Sequence, residues 1–160
     1  MKQAISISIK EKNDILQYSV RWKNKPNGEE GSCKSFEFPR PELLQALNGF
    51  AEYVPFICGI PKEVIGKIYI AGATFIYDKA GEMVGLTLGT CLVMQNGRCI
   101  DIKTPEQRLR LDNPDLEEST MWEDRFTKDA QILHDEIVLY ADGKRAQTEL
   151  QFNEDGDEGQ

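Results

Sequence analysis

Between positions 10 and 40 the sequence interleaves cations with aromatic rings. Lys10, Lys12, Arg21, Lys23, Lys25, Lys34 and Arg40 fall among Tyr18, Trp22, Phe36 and Phe38. Single-stranded nucleic acid is bound by this combination, because cationic side chains follow the phosphates while rings stack on bases at about 1–3 kcal/mol per base. Lys10, Arg21, Trp22, Lys23, Lys25, Lys34 and Phe36 are therefore the candidate nucleic-acid-binding residues. The spacing constrains them further. In an extended strand Trp22 shares a face with Tyr18 and Val20, and Arg21 shares the opposite face with Lys23. The rings on this segment are thus either core or a stacking platform.

The charge is divided along the chain. The 160 residues hold 19 Lys plus Arg and 27 Asp plus Glu, a net of −8. Residues 1 to 111 carry 15 basic and 12 acidic side chains, a net of +3, and residues 112 to 160 carry 4 and 15, a net of −11. Asp112, Asp115, Glu117, Glu118, Glu123 and Asp124 cluster ahead of and inside one segment, and Glu154, Asp155, Asp157 and Glu158 crowd the end. Residues 153 to 160 offer nothing apolar to bury, which predicts a disordered acidic tail after a single domain of residues 1 to 152. That tail is either a solubilising run or an interaction segment, and its four carboxylates join Lys144 and Arg145 as candidate partner-binding residues.

Equipment for catalysis is sparse. His134, the one histidine, falls on the polar side of a helical stripe beside Asp135, the position of a surface histidine. There is no Gly-x-Ser-x-Gly, and the glycines from Gly81 to Gly89 alternate within a strand pattern where a phosphate loop would open a helix. Cys33, Cys58, Cys91 and Cys99 form no Cys-x-x-Cys, so neither zinc nor a redox pair is expected; Cys58 and Cys91 read as buried thiols in a reducing compartment. The carboxylates from Asp112 to Glu118 lack the alternation and central glycine of a calcium loop. The expectation is a non-enzymatic protein without cofactor or metal. No run approaches ~18 apolar residues, and the alternating start contrasts with a signal peptide, so a cytoplasmic location and no membrane partner are expected.

The elements that must position these residues follow from periodicity. Ile5, Ile7 and Ile9, then Leu16, Tyr18, Val20 and Trp22 across Lys12-Asn13-Asp14, predict a hairpin with one face buried. Lys34, Phe36 and Phe38 suggest a third strand, stopped by Pro39-Arg40-Pro41. Leu43, Leu44, Leu47, Phe50, Ala51 and Val54 predict a helix begun by Pro41 and closed by Gly59 and Pro61. Strands follow over Lys67 to Tyr77 and Met83 to Met94, with Asn96-Gly97 turning into a sixth strand at Cys99, Ile100 and Ile102. Gly72, Gly85 and Gly89 inside these strands mark bulges, bends or close approach of another backbone. After an exposed stretch from Thr104 to Ser119, Thr120 and Glu123 form a capping box for a helix with Trp122, Phe126, Ala130, Leu133, Ile137 and Tyr140 on one stripe. The order β-β-β-α-β-β-β-α predicts an α+β fold, a mainly antiparallel sheet of about six strands with two packed helices. An OB-like barrel is the alternative closure of the first five strands. Glycine-punctuated strands such as Met83 to Met94 are compatible with a homo-oligomer paired through them.

The end of the last helix, Tyr140-Ala141-Asp142-Gly143-Lys144-Arg145-Ala146-Gln147 with Leu150 and Phe152, resembles the C-terminal signature of small proteins encoded by phages and prophages. Pro41 to Leu47 and Ile68 to Tyr77 resemble a helix and a strand of the same family. Members mostly carry no assigned activity, so the resemblance implies a phage origin and a bacterial host cell. Physically, Gly143 is a left-handed helix stop, Lys144 and Arg145 lie at the negative end of the helix dipole, and Leu150 and Phe152 can fold back on the core. Taken together, these readings predict a phage accessory protein binding single-stranded nucleic acid in replication or recombination. The alternative is an anti-defence inhibitor that binds a host protein through its acidic surface or sequesters a small nucleotide signal.

Overall fold

Alternation of apolar and polar residues builds the sheet first. A computed structural model describes residues 1–25, 27–108 and 124–146. Strands β1 (Lys2–Lys12) and β2 (Ile15–Asn24) pair through a two-residue turn in which Asn13 and Asp14 both take positive φ (53° and 65°), the geometry that suits a right-twisted hairpin. Strand β3 (Glu30–Ser35) adds to β2. It ends before the predicted aromatic pair: the Glu37 N–H donates to Ser35 Oγ at 3.0 Å, which turns the chain. Phe36 and Phe38 therefore lie beyond the strand, and Phe38 packs 6.2 Å from the Tyr18 ring.

The first predicted helix is broken by its own sequence. Helix α1 (Pro41–Asn48) passes into a 3₁₀ turn, Gly49–Tyr53, before the short α2 (Val54–Cys58). Pro55 lacks an N–H and crowds the carbonyl four residues back, so one continuous α-helix cannot run through it. Gly59, at φ 68°, closes α2 in the left-handed conformation. Strands β4 (Ile68–Tyr77), β5 (Met83–Val93) and β6 (Cys99–Lys103) form a second antiparallel meander, and a two-residue β7 (Gln107–Arg108), absent from the expected elements, pairs with β5. Helix α3 (Asp124–Ala141) buries Phe126, Ala130, Leu133, Ile137 and Tyr140 as the stripe predicts. Trp122, the capping box and the carboxylates from Asp112 to Glu123 lie outside the described residues, as do Leu150, Phe152 and the acidic tail.

The strand order is β3-β2-β1-β4-β5-β6. The sheet is open, with β3 and β6 at its edges, and the OB-like alternative is not realised. Closure would need β4 or β5 to travel round to β3, whereas the chain returns from α2 to lay β4 beside β1. The order is also a palindrome of two three-strand meanders, each followed by helix, although no repeat is visible in the sequence. The helices cross over: α3 packs on β1 and β2, and α1 packs on β4 and on α3. One core results, with Phe50 and Tyr53 each edge-on to Phe126 at 5.3 and 4.8 Å between ring centroids, and tilted against each other at 5.9 Å. Aromatic pairs of this kind add about 0.5–1.5 kcal/mol beyond their buried area.

Candidate nucleic-acid interface

Helices cover one face of the sheet, and the predicted cations lie mainly on the other. The registers define a row across six strands: Lys34, Ser19, Ser8, Gly72, Gly89 and Lys103. At about 4.8 Å per strand this row spans about 24 Å. The next row holds Ser32, Arg21, Ser6, Thr74 and Thr87. Lys10 stands on the same face of β1, paired with Gln17. The surface is thus a floor of hydroxyls and bare backbone with cations at both sides. Its acidic members among the described residues include Glu30, which meets Arg21 at 3.2 Å, Asp101, which accepts from Cys91 Sγ at 3.1 Å, and Glu106, whose Oε1 lies 3.4 Å from where a Cβ on Gly85 would stand.

The candidates divide as follows. Lys10, Arg21 and Lys34 are exposed on this face. Lys23 shares it at the far end, with Nζ 4.7 Å from the centre of the Tyr77 ring. Lys25 is drawn elsewhere, into a depression of about 320 Å³ that it lines with Lys2, Gln3, Gly81 and His134. Trp22 turns to the opposite face, half-buried, with its ring against Gly31, where an added Cβ would come within 2.5 Å of the indole. It is a packing residue under Lys2 (Nζ 5.4 Å from the ring centre) and offers this surface no base platform. Phe36 is exposed beyond the end of β3. Sequence reasoning passed over Lys103 and Tyr69. Alternation carries the signal for Lys103, since Ile100 and Ile102 pair with Leu92 and Thr90 on the helix side and leave Asp101 and Lys103 to the open face. Tyr69 pairs with Cys91 and lies 45% exposed on that face, its Oη 3.3 Å from Cys99 Sγ. Hydrogen bonds to Cys99 and Cys91, with burial, push its phenol above the usual range.

The candidate partner residues also separate. Lys144 is exposed. Arg145 is not free to meet a partner: its guanidinium stacks 3.5 Å from the centre of the Tyr140 ring, its Nη1 donates to Tyr140 O at 2.6 Å, and Glu37 Oε1 lies 3.6 Å from Nε. It closes α3 together with Gly143 (φ 98°), as the Lys144 N–H donates to Leu139 O at 2.9 Å. Arg145→Ala should cost about 1–2 kcal/mol from the lost carbonyl bond and ring contact, whereas Lys144→Ala should stay within about 0.5 kcal/mol of the parent; thermal unfolding of both variants checks this. Glu154, Asp155, Asp157 and Glu158 lie outside the described residues.

His134 is not a surface residue. Its side chain is 13% exposed, Nε2 accepts the Ala4 N–H at 3.2 Å, Nδ1 meets Asp135 at 3.0 Å, and the ring stands edge-on to Phe75. The bulge between Ala4 and Ser6 sets that N–H toward α3, and the imidazole supplies the acceptor. Cys58 and Cys91, expected to be buried, are half-buried; what burial they have pushes both thiols up, which disfavours a thiolate at neutral pH. Among the described residues no three His, Cys, Asp or Glu side chains gather as metal ligands, and no helix is long and apolar enough to cross a membrane. No protein-family model, curated protein or solved structure matches the chain.

Proposed function

We propose that the protein is a phage-encoded, non-enzymatic accessory protein that binds single-stranded nucleic acid along the uncovered face of its sheet, in replication or recombination. The observation that carries the reading is the row from Lys34 to Lys103, with Lys10 and Arg21 beside it, over a floor of serine, threonine and glycine. Small floor residues let a sugar-phosphate chain approach the backbone closely, and cations on both sides hold its charge. With Trp22 turned away, phosphates dominate the contact, so recognition is poor in sequence information. The anti-defence alternative draws less support. Of the carboxylates on or just after α3, Asp129 accepts from Tyr53 Oη at 2.8 Å, Glu136 lies 3.8 Å from Arg40, and Asp142 pairs with Lys2, while the tail carboxylates Glu154, Asp155, Asp157 and Glu158 on which that alternative rests lie outside the described residues.

Salt titration tests the proposal. Engagement of about four phosphates should give a slope near −3 for log K against log salt, at about 0.7 counterions per contact on a single strand. A full-length protein that binds no oligonucleotide at low salt would overturn the reading.

A further inference from the structure

Strands β1 and β4 pair over only three residues each, Ser6 with Thr74, Ile7 with Ala73 and Ser8 with Gly72. Beyond Ser8, β1 continues to Lys12 held by β2, and ahead of Gly72, β4 begins at Ile68 held by β5. The two strands diverge and leave a slot through the sheet of about 910 Å³, within the range of small-molecule sites. Tyr18, Phe38 and Leu44 line it from the helix side, and Lys10, Tyr69 and Lys103 from the open face, where Asp101 also borders it; Glu11 is a second carboxylate in the lining. The other end of the same ladder is closed: His134 accepts the Ala4 N–H and Tyr77 Oη donates to the Ala4 carbonyl.

From this geometry we infer that the slot is a subsite for a nucleobase whose phosphate rests on Lys10 and Lys103. Its apolar, ring-bearing wall suits a flat heterocycle, and the two lysines flank the mouth where the phosphate would lie. Ser8 and Gly72, at the apex of the slot, are also the middle members of the cationic row, so a strand following that row passes over the opening. Gly89 completes the case. Its backbone is outside the left-handed region, and an added Cβ would meet nothing nearer than Gly72 N at 3.8 Å, which is ordinary contact. The fold does not require a glycine there, although glycine in mid-strand is destabilising. A bare position 89 keeps the path from Lys103 to the slot open.

The inference rests on the proposed interface where the base belongs to a bound strand; a free nucleotide would present the same chemistry. The test measures affinity of the full chain, and of Gly89→Leu and Tyr69→Ala, for a 12-mer oligodeoxynucleotide, the same sugar-phosphate chain without bases, and a free nucleoside monophosphate. The parent should prefer the base-bearing 12-mer by about tenfold or more, from stacking of a single base. Both variants should lose that preference while the melting temperature holds; Tyr69→Ala should also keep the salt slope, whereas Gly89→Leu, on the floor itself, should flatten it. Equal binding of both oligomers by the parent, or variants that keep the preference, would overturn the slot and leave the interface standing. Nucleoside monophosphate binding that Gly89→Leu abolishes, with no oligomer bound, would support the slot and overturn the interface. No binding of any probe would overturn both.

Discussion

Replacing Lys10, Arg21 and Lys34 together by glutamate is expected to weaken oligonucleotide binding about 100-fold or more at low salt and to flatten the salt slope by about 2, three contacts at about 0.7 each. All three side chains are exposed on the uncovered face, and none is part of the core. The one ion pair they make among the described residues, Arg21 with Glu30, is solvent-exposed, and pairs of that kind contribute about 0–1 kcal/mol. The variant should therefore fold and melt close to the parent. The informative control moves the same amount of charge elsewhere. Lys62, Lys79 and Lys128 are exposed on the 3₁₀ turn before β4, on the β4–β5 turn and on α3, and their reversal should change affinity by only about threefold through the long-range field. Equal losses in the two variants, measured by fluorescence anisotropy, would mean that net charge governs binding and the face does not.

Alternation made the faces legible, because period-two spacing is a local property that each strand carries by itself. It separated Arg21 from Trp22, and helical spacing placed Phe126, Ala130, Leu133, Ile137 and Tyr140 on one buried stripe. Segments failed where a local device competed with the pattern. Lys34, Phe36 and Phe38 alternate like a strand, but Ser35 accepts the Glu37 N–H and bends the chain away from β2. His134 is polar by type and neighbours Asp135, yet the β1 bulge gives it a backbone donor to satisfy. The His134–Ala4 pairing joins residues 130 positions apart, which no window of sequence displays.

The site was half legible for the same reason. Lys10, Arg21 and Lys34 announce themselves by type and parity. Lys103, Gly89 and the slot depend on β4 returning beside β1, a long-range pairing that the sequence leaves open among several α+β arrangements. The glycines illustrate this. Gly72, Gly85 and Gly89 look alike in sequence, but Gly72 lies under a neighbouring strand, Gly85 faces Gln107 O at 3.2 Å, and Gly89 has room to spare.

That difference leads to the largest stability effect expected at any surface-facing position. Gly72→Val should destabilise the protein by about 3 kcal/mol, the upper part of the range for forced overpacking. A Cβ on residue 72 would stand 2.7 Å from Ile7 O and 3.5 Å from Ser8 Cα, and both are backbone atoms that cannot rotate aside. Gly72 is also one of only three β4 residues paired with β1, so relief must come from separating the two meanders. Separation is costly because α3 spans β1 and β2 while packing on α1, which rests on β4; parting the strands strips contacts from Ile7 and Ala73 in the core. For a chain of 160 residues, at about 2–4 °C per kcal/mol, the melting temperature should fall by about 6–12 °C. Gly89→Val is the matched comparison, one strand over in the same row. Its Cβ finds 3.8 Å of clearance, and valine favours extended backbone, so it should melt at or slightly above the parent. If circular dichroism shows both variants melting together, the β1–β4 joint yields, and the opening beside it cannot be the rigid slot that a nucleobase requires.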